Sequence, residues 1–410
     1  MAALGIMALA ALLIFHVSPA AAAPLITLAN GVDWLLVHIV DLFAPLGGAS
    51  FRLPEYAGWA AAVYVIYFLP LALLALAVAR WHPLAGPTRL RSSQNMRWRR
   101  VTAVAAATQS VLLLLLVFHP LSAGRSDGNL RVDFLDVGQG DSALVTMPDG
   151  TTLLIDGGGR PGFQTPKPAV DDERDDEQPF ERDTRSIGEA VVSEYLWWRG
   201  LDRVDYILAT HADADHIDGL NDVARNFQVR AALVARAPGD DPEYAKFAAT
   251  LAARQIPFKI IGAGDRLQFG GASATILWPL FAADPSAPSR NNDSIVLRLQ
   301  FGERTILMTG DVEKEGETAI VNAQNLLLSD VVKVPHHGSR TSSTALFVAA
   351  SHPCLAVISV GLTSVFGHPH KEVVERWRAS GAEVLTTGKR GTVTVTTDGK
   401  NLSFESFVRD

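Results

Sequence analysis

The sequence predicts an α/β sandwich preceded by transmembrane helices, and three observations lead to this fold class. Residues 56–126 contain no Asp or Glu and include long apolar runs, which is typical of a membrane region. From residue 129 onward, strand-like and helix-like patterns alternate without an internal repeat, as in a soluble α/β domain. Acidic residues and histidines gather where the apolar runs of this second part end. We therefore predict a membrane region at residues 1–125 and a soluble domain at residues 129–410.

Apolar segments of different length make up the membrane region. Residues 1–23 predict either a transmembrane helix or a signal peptide cut near residues 20–23, and the absence of Lys and Arg from the start argues against the signal peptide. Residues 33–46 are apolar but carry two Asp and one His, which predicts an interfacial helix. Residues 57–79 and 101–121 are long enough to span a bilayer. We thus expect about three transmembrane helices and an interfacial helix.

The charged residues between the two clear spans predict the orientation of the chain. Residues 80–100 contain six arginines and no acid. Because loops rich in Lys and Arg stay in the cytoplasm, the span at 101–121 leads outward. We therefore expect a multi-pass protein of the cytoplasmic membrane, with its soluble domain on the outer side.

The overall charge and the cysteine count exclude several kinds of site. A net charge of −7 argues against a generally basic nucleic-acid-binding protein, although a local metal site can still engage phosphate. The single cysteine, Cys354, excludes an intramolecular disulfide and a cysteine-rich metal site, so no disulfide partner is expected. We interpret Cys354 as a small buried residue of a strand.

The soluble part divides into successive predicted elements. Residues 130–147 alternate around a glycine-rich turn and predict a hairpin-like entry, and a strand at 152–155 follows, ending at Asp156. Residues 160–183 are rich in Pro, Asp and Glu and predict an acidic, flexible insertion. Further strand and helix signals follow in turn at 187–198 (helix), 204–209 (strand), 217–227 (helix), 229–235, 242–254, 258–261, 273–278, 294–301, 305–309, 316–323, 331–334 (strand), 343–350, 355–360, 371–379 (helix), 383–386 (strand) and 391–407 (hairpin).

The loop after the strand at 204–209 carries the densest group of candidate metal ligands. Two histidines and two carboxylates fall within six residues, at His211, Asp213, Asp215 and His216. Imidazole and carboxylate ligands suit Zn²⁺, Mn²⁺ or Fe. One loop cannot complete two coordination spheres, so we expect more ligands from other strand ends.

Later strand ends supply these further candidates. Asp311 follows one apolar strand, and His336 and His337 follow another. His368 lies in a Gly-His-Pro-His segment, where a hydrogen-bonded turn histidine is an equally good interpretation. Acids and histidines at three separate strand ends predict a metal site, because packing alone does not require them there.

Several motifs in this order resemble the C-terminal domain of ComEC-type DNA-uptake proteins. Residues 211–216 resemble the His-x-His-x-Asp-His signature of the metallo-β-lactamase fold, with Asp213 in the place of the second His. The other matching motifs are Phe134-Leu-Asp-Val-Gly-Gln-Gly-Asp-Ser, Asn291-Asn-Asp-Ser-Ile-Val-Leu, Thr309-Gly-Asp, Lys333-Val-Pro-His-His-Gly-Ser and Phe366-Gly-His-Pro. The resemblance covers residues 129–407 and implies a metallo-β-lactamase αββα sandwich. The family's N-terminal domain and most of its channel helices have no counterpart here, so we expect Met1 to lie inside a longer natural protein or to begin a shortened gene.

The resemblance implies a role for each candidate residue. It implies two divalent ions, Zn or Mn, held by His211, Asp213, Asp215, His216, Asp311 and one of His336 and His337. It also implies Asp215 and His368 as catalytic residues, Asn292, Ser294, Ser339 and Ser342 as substrate contacts, and Asp136 and Asp156 as braces behind the ligands. The histidine that usually precedes the bridging Asp has no counterpart, and Ser342 also fits the N-cap of the next helix.

These features together predict an outward-facing hydrolase of the bacterial inner membrane. The resemblance implies a nuclease that cleaves DNA phosphodiesters of the non-imported strand during natural transformation. Expected partners are single-stranded DNA, the membrane, and the remaining channel and DNA-uptake components. Two alternatives stay open. One is a metallo-hydrolase of another external substrate, such as a small phosphodiester or a lactone. The other is a non-catalytic subunit of a DNA-uptake channel.

Overall fold

The structure is a computed structural model, and it describes most of the chain. The described ranges are 2–39, 56, 58–80, 93–118, 126–160, 185–280, 290–323 and 326–408. The predicted acidic insertion at 160–183 lies outside them except for Arg160, as does the second half of the predicted interfacial helix at 33–46. The chain divides into two compact units, Met1–Leu53 and Pro54–Asp410, which we describe separately.

Two helices, Ala2–Val17 (α1) and Pro19–His38 (α2), form the first unit. They are separated at Ser18, whose extended backbone ends α1 and whose hydroxyl accepts a hydrogen bond from the amide of Ala21 (3.3 Å). Proline is well tolerated at the first position of a helix, so Pro19 starts α2. Residues 1–23 are therefore divided between two helices, and the choice between a transmembrane helix and a signal peptide stays a prediction. The expected start of a separate helix at residue 33 was wrong, because α2 continues through this position.

The second unit begins with two apolar helices, Ala62–Ala79 (α3) and Ser93–Phe118 (α4). The segments Trp59–Ala79 and Arg97–Phe118 are long and apolar enough to cross a membrane, and they are the two such helices among the described residues. Both correspond to the spans that the sequence predicts. Tyr56, Val63 and Leu112 belong to a buried cluster between α3 and α4.

From residue 126 onward, the described part of the chain forms fifteen strands and seven helices. The strands are Leu130–Phe134 (β1), Ala143–Thr146 (β2), Thr152–Ile155 (β3), Arg203–Ala209 (β4), Gln228–Val234 (β5), Phe258–Ile260 (β6), Arg266–Phe269 (β7), Ala272–Trp278 (β8), Val296–Phe301 (β9), Arg304–Met308 (β10), Val331–Lys333 (β11), Leu355–Ile358 (β12), Glu383–Thr386 (β13), Val393–Thr397 (β14) and Leu402–Ser406 (β15). The helices are Glu194–Trp198 (α5), Ala214–Asn226 (α6), Pro242–Ala253 (α7), Lys314–Asn322 (α8), Ala345–Ser351 (α9), Lys371–Ala379 (α10) and Thr387–Arg390 (α11). A wider π-helical segment, Gly188–Ser193, leads into α5.

The strands form two sheets. The first has the order β15-β14-β1-β2-β3-β4-β5-β6, and the second has the order β13-β12-β11-β10-β9-β8-β7. Strands β3 to β6 run parallel, as do β10 to β13, and the other pairings are antiparallel. Parallel strands in the middle of a sheet are covered on both faces, which explains why β3 and β12 are entirely buried, whereas β6 at the edge of the first sheet is exposed.

Three apolar clusters show that the domain from residue 126 onward has four layers, with two sheets between two layers of helices. One cluster combines residues of both sheets, including Phe134 and Leu208 from the first and Leu297 and Ile306 from the second. A second cluster packs the outer face of the first sheet against α6 and α7, and a third packs the second sheet against α8, α9 and α10. This arrangement confirms the predicted αββα sandwich.

Further details differ from the sequence predictions, among them the short helix α11, which was not predicted. Strand β7 was missed, because four residues of alternating character give a weak pattern. Cys354 is exposed, and its thiol contacts the carbonyl of Asp330 (3.0 Å), so its interpretation as a buried strand residue was wrong. It lies just before β12, in a turn that stays at the surface.

Candidate metal centre

The centre forms where parallel strands of both sheets end. Strands β3 and β4 of the first sheet pair in parallel, and so do β10, β11 and β12 of the second. Carboxyl ends of parallel strands share one edge of a sheet, so the loops that follow these strands meet. These strand ends carry Asp156, His211 to His216, Asp311, His337 and Ser359, respectively, and Asp215 and His216 lie in the first turn of α6 rather than in the loop that the sequence predicts.

Five side chains of these loops form the cluster. One ligand atom from each of His211, His216 and Asp311 lies within 4.8 Å of the others, and the same holds for Asp215, His216 and His337. The Asp311 Oδ2 atom lies 3.2 Å from Nε2 of His216 and 3.2 Å from Nε2 of His337. Asp311 therefore lies between the two groups, as a bridging carboxylate would.

Three buried imidazole nitrogens point into this cluster, where their polar neighbours are carboxylate oxygens. The Nε2 atoms of His211, His216 and His337 are buried, and none forms a hydrogen bond of good geometry with any residue that the structure describes. Leaving a buried polar atom unpaired costs about 1–3 kcal/mol. A bound cation would use these lone pairs, and imidazole with carboxylate is a donor set that suits Zn²⁺ or Mn²⁺. The residues therefore fit a divalent metal centre.

The Nδ1 atoms of His216 and His337 contact groups on the side of each ring that faces away from the cluster. Asp156 contacts Nδ1 of His216 (2.9 Å) and accepts hydrogen bonds from the amide and hydroxyl of Thr210 (both 2.8 Å). Nδ1 of His337 contacts the carbonyl of Ser359 (2.9 Å). Such contacts orient a ligand histidine and direct its Nε2 atom toward the metal. The structure thus places Asp156 where the sequence predicts a brace for the ligands.

Ser294 contacts the cluster from one side. Its hydroxyl accepts a hydrogen bond from the amide of Asp311 (2.9 Å) and lies 3.3 Å from Nδ1 of His211. The close approach needs Gly310, whose φ is +52° and where an added Cβ would lie 2.8 Å from Cβ of Ser294. Ser294 therefore contacts two candidate ligands, and its role as a substrate contact stays a prediction.

Sequence reasoning missed Lys333, a buried ammonium within the cluster. Its Nζ atom donates to the carbonyl of Gly310 (2.8 Å), lies 3.3 Å from Oδ1 of Asp311 and forms a close ion pair with Asp141. Burial opposes its charge, but Asp141 and Asp311 outweigh that effect and raise the pKa of Lys333. A charged residue inside an otherwise apolar strand was the signal that could have revealed it.

The carboxylates and the cationic groups of the cluster favour each other's charged forms. Burial disfavours ionised Asp311, but His216, His337 and Lys333 outweigh burial and hold the pKa of this carboxyl well below its usual range. Burial also disfavours charged His216, and Asp311 outweighs it, which raises the pKa of that imidazole well above its ordinary value. For Asp215, contacts with His337 and His216 lower the pKa despite burial. All three effects show strong local attraction between cationic and carboxylate groups.

The structure distinguishes His336 from His337. His337 is buried within the cluster, whereas His336 is partly exposed and its Nε2 atom lies 3.8 Å from Oδ2 of Asp311. Nδ1 of His336 contacts Glu313 (3.2 Å) instead. Asp213 also lies at the edge, with a half-exposed carboxylate 3.5 Å from Nε2 of His211.

His368 lies beside the cluster without joining it. Its ring centre is 5.8 Å from that of His336 and 6.4 Å from that of His337. Burial and the neighbouring histidines lower the pKa of His368 to about 4. A cleft of about 490 Å³ opens here, and its lining includes Asp215, His337 and His368.

Two further predicted residues hold turns rather than face the cluster. Asp136 accepts a hydrogen bond from the amide of Gly138 (3.3 Å), within the glycine-rich turn after β1. The side chain of Asn292 accepts a hydrogen bond from the amide of Glu313 (2.8 Å), before α8. Asp136 is therefore not placed by the structure against a candidate metal ligand. The side chain of Asn292 is bound to the backbone of Glu313.

The two predicted serine contacts after β11 are also engaged locally. Ser342 is buried and donates to the carbonyl of Pro335 (2.9 Å). Ser339 is buried too, and its hydroxyl pairs with that of Thr341 (3.0 Å). The cap of α9 is Thr344, which accepts from the amide of Phe347, so the alternative role of Ser342 as an N-cap was wrong. Substrate contact by Ser339 and Ser342 stays a prediction.

Comparison with known proteins adds an independent finding. The model of the metallo-beta-lactamase superfamily matches residues 135–361, which is more than half of the chain and includes all residues of the cluster. The chain is 32% identical over 285 residues to ComE operon protein 3 of Bacillus subtilis (strain 168), covering 69% of this chain and 34% of that protein. It is 28% identical over 377 residues to competence protein ComA of Neisseria gonorrhoeae, covering 88% of this chain and 45% of that protein. The chain thus spans less than half of the length of these relatives.

Among solved structures, the metallo-beta-lactamase fold protein YhfI from Bacillus subtilis is similar. Its TM-score is 0.37 at 12% sequence identity, with 62% of this chain and 95% of that chain covered.

Proposed function

This chain belongs to the metallo-β-lactamase superfamily, and on that premise we propose that it is a membrane-anchored, metal-dependent nuclease. One observation carries the proposal: the buried Nε2 atoms of His211, His216 and His337, none of which has a hydrogen bond of good geometry among the described residues, converge on the carboxylate of Asp311. The competence relatives support DNA as the substrate and natural transformation as the process. In this role the domain degrades the strand that is not imported.

We propose that the centre holds two divalent ions, zinc or manganese. Five carboxylates and one ammonium meet there, which leaves four net negative charges for two divalent cations to balance. The carboxylates belong to Asp141, Asp156, Asp213, Asp215 and Asp311, and the ammonium to Lys333. Bound ions supply Lewis acidity toward a phosphoryl oxygen and make water more acidic.

The protein's own side chains contribute positioning and proton transfer. Asp156 and Ser359 orient two of the imidazoles, so that the ligand geometry is fixed before substrate arrives. The Asp215 carboxylate lies at the cleft, and we propose that it orients the attacking water and accepts its proton. The imidazole of His368 lies beside the cleft and is proposed to donate a hydrogen bond to a phosphate oxygen.

The proposed location follows from the charge of the sequence. The arginine-rich segment at 80–100, whose last residues form the start of α4, supports a cytoplasmic position for this end of α4 and hence a nuclease outside the cytoplasmic membrane. A nuclease there meets DNA before it crosses the membrane. A topology reporter fused at Ser126 is expected to be active on the outer side, and cytoplasmic activity would contradict this orientation.

The activity can be tested with the full chain in detergent. It is offered single-stranded DNA, bis-p-nitrophenyl phosphate and a lactone, with Mn²⁺, Zn²⁺ or a chelator. We expect DNA cleavage that requires metal and that Asp215→Ala and His216→Ala abolish. The matched control is His352→Asn, because His352 is a helix C-cap with φ of 38°, which Asn tolerates. Cleavage of only the small substrates would favour another external hydrolase, and absence of bound metal would favour a non-catalytic channel subunit.

A further inference from the structure

An apolar loop forms one side of the cleft. It connects β12 to α10, and three of its side chains are exposed although they are large and apolar: Leu362 (72%), Val365 (66%) and Phe366 (42%). Large apolar side chains grouped at the mouth of a polar site usually mark a binding surface. Phe366 is the member of this group that lines the cleft itself.

The position of Phe366 is fixed from two sides. Its ring stacks on that of His368, with centres 5.7 Å apart and planes 26° apart. The hydroxyl of Ser364 donates to the side chain of Gln139 (3.0 Å) and accepts from the amide of Phe366 (3.3 Å). The loop is therefore attached to the glycine-rich turn after β1, and the aromatic ring is held beside the metal cluster.

The cleft offers little charge attraction to a polyanion. Its lining contains five carboxylates and, among the described residues, no Lys or Arg. The carboxylates belong to Asp213, Asp215, Asp241, Glu243 and Asp311. Apart from the metal ions, binding of a nucleic acid here must therefore use contacts other than ion pairs with phosphates. An aromatic ring supplies such a contact, because unpaired bases stack on it regardless of sequence.

From these observations we infer that Phe366 is a stacking platform for one unpaired nucleobase next to the reacting phosphodiester. Bases of a duplex are already stacked on each other, so the platform selects single-stranded DNA or frayed ends. The inference rests on the proposed nuclease function and deepens it, since it names the form of the substrate and a residue that determines it.

Binding measurements on the full chain in detergent test the platform. The probe is a fluorescent single-stranded oligonucleotide with nuclease-resistant phosphorothioate linkages, and its anisotropy is recorded with Mn²⁺. A second set of probes replaces one base at a time with an abasic site. We expect Phe366→Ala to weaken binding of the intact probe about tenfold, whereas Phe366→Trp retains it. The matched control is Phe404→Ala, which removes a similarly exposed ring (40%) from β15, outside the cleft.

The test depends on whether the Phe366→Ala change and the removal of one base from the probe disrupt the same contact. At one position, the abasic probe should bind the unaltered chain as weakly as the intact probe binds the Phe366→Ala variant, and the two changes together should cause no further loss. Equal losses for intact and abasic probes would overturn the inference, since Phe366 would then only support the loop. Unchanged binding by Phe366→Ala, or no binding by the unaltered chain, would overturn it as well. Failure of the nuclease function appears separately, as absence of metal-dependent cleavage by the unaltered chain.

Discussion

The carboxylate of Asp156 lies 2.9 Å from Nδ1 of His216 and so fixes the ring that faces the centre. We expect Asp156→Asn to lower metal affinity about 10- to 100-fold, because an amide is a weaker and differently oriented partner for the imidazole. Competition with a chelating dye measures this affinity. Asp398→Asn, in the exposed turn between β14 and β15, is the control and should leave it unchanged. Equal affinity for both variants would show that Asp156 does not orient the ligand.

Lys333 is expected to stabilise the protein before metal binds. The Lys333→Met variant leaves Asp141 and Asp311 without their buried cation, so the metal-free protein should lose about 3–5 kcal/mol of unfolding free energy. The same change makes the centre more negative, and the increase in Tm on adding Mn²⁺ should therefore become larger than in the unaltered chain. Thermal melting with and without Mn²⁺ measures both effects. A smaller metal-induced increase would contradict this role.

A second buried ion pair supports the first sheet away from the centre. Asp133 is fully buried and contacts Arg199 (2.5 Å) and Arg131 (2.8 Å). We expect Asp133→Ala to cost about 3–5 kcal/mol, because Arg199 stays buried with an uncompensated charge. Urea denaturation is the measurement. The exposed pair of Arg340 and Glu372 is the comparison, and Glu372→Ala should leave the unfolding midpoint unchanged because solvent screens that pair.

Glu317 gives a pH dependence with a defined sign. It is buried on α8 and accepts hydrogen bonds from the amides of Ser343 (2.5 Å) and Thr344 (2.7 Å), yet burial outweighs them and raises its pKa above 4.5. Between 4.5 and the raised pKa, the folded protein binds more protons than the unfolded chain. The stability that Glu317 contributes therefore falls as pH rises through this window.

The variant Glu317→Gln isolates this effect. Its stability relative to the unaltered chain should increase as pH rises above about 4.5 and level off once Glu317 is ionised in the folded state. Urea denaturation at a series of pH values between 4 and 8 follows the difference. A difference that does not vary with pH would show that Glu317 has the same pKa in both states.

The sequence predicts much of the centre because its ligands follow apolar strands. His211, His216 and Asp311 could be found in this way, since a polar residue directly after a buried strand lies at the edge of a sheet. Asp156 could be found for the same reason. These predictions need only local patterns and the rule that parallel strands end together.

Other features depend on contacts between distant segments. The choice between His336 and His337 follows from left-handed backbone at both residues, with φ of 48° and 51°, which turns one imidazole inward and the other outward. The role of Lys333 depends on the pairing of β10 with β11, which brings its ammonium to Gly310 and Asp311. The choice between the two histidines has no local sequence signal. For Lys333 the sequence shows a charge in an apolar strand but not its partners, which depend on how the sheets assemble.

The candidate ligands of the centre come from both sheets. His211 and His216 follow a strand of the first sheet, whereas Asp311 and His337 follow strands of the second. A folding intermediate that contains only the first sheet therefore has only half of these side chains in place, and we expect it to bind an ion more weakly than the complete domain does. Strong metal binding therefore requires that both sheets have assembled, so binding of an ion reports a completed domain.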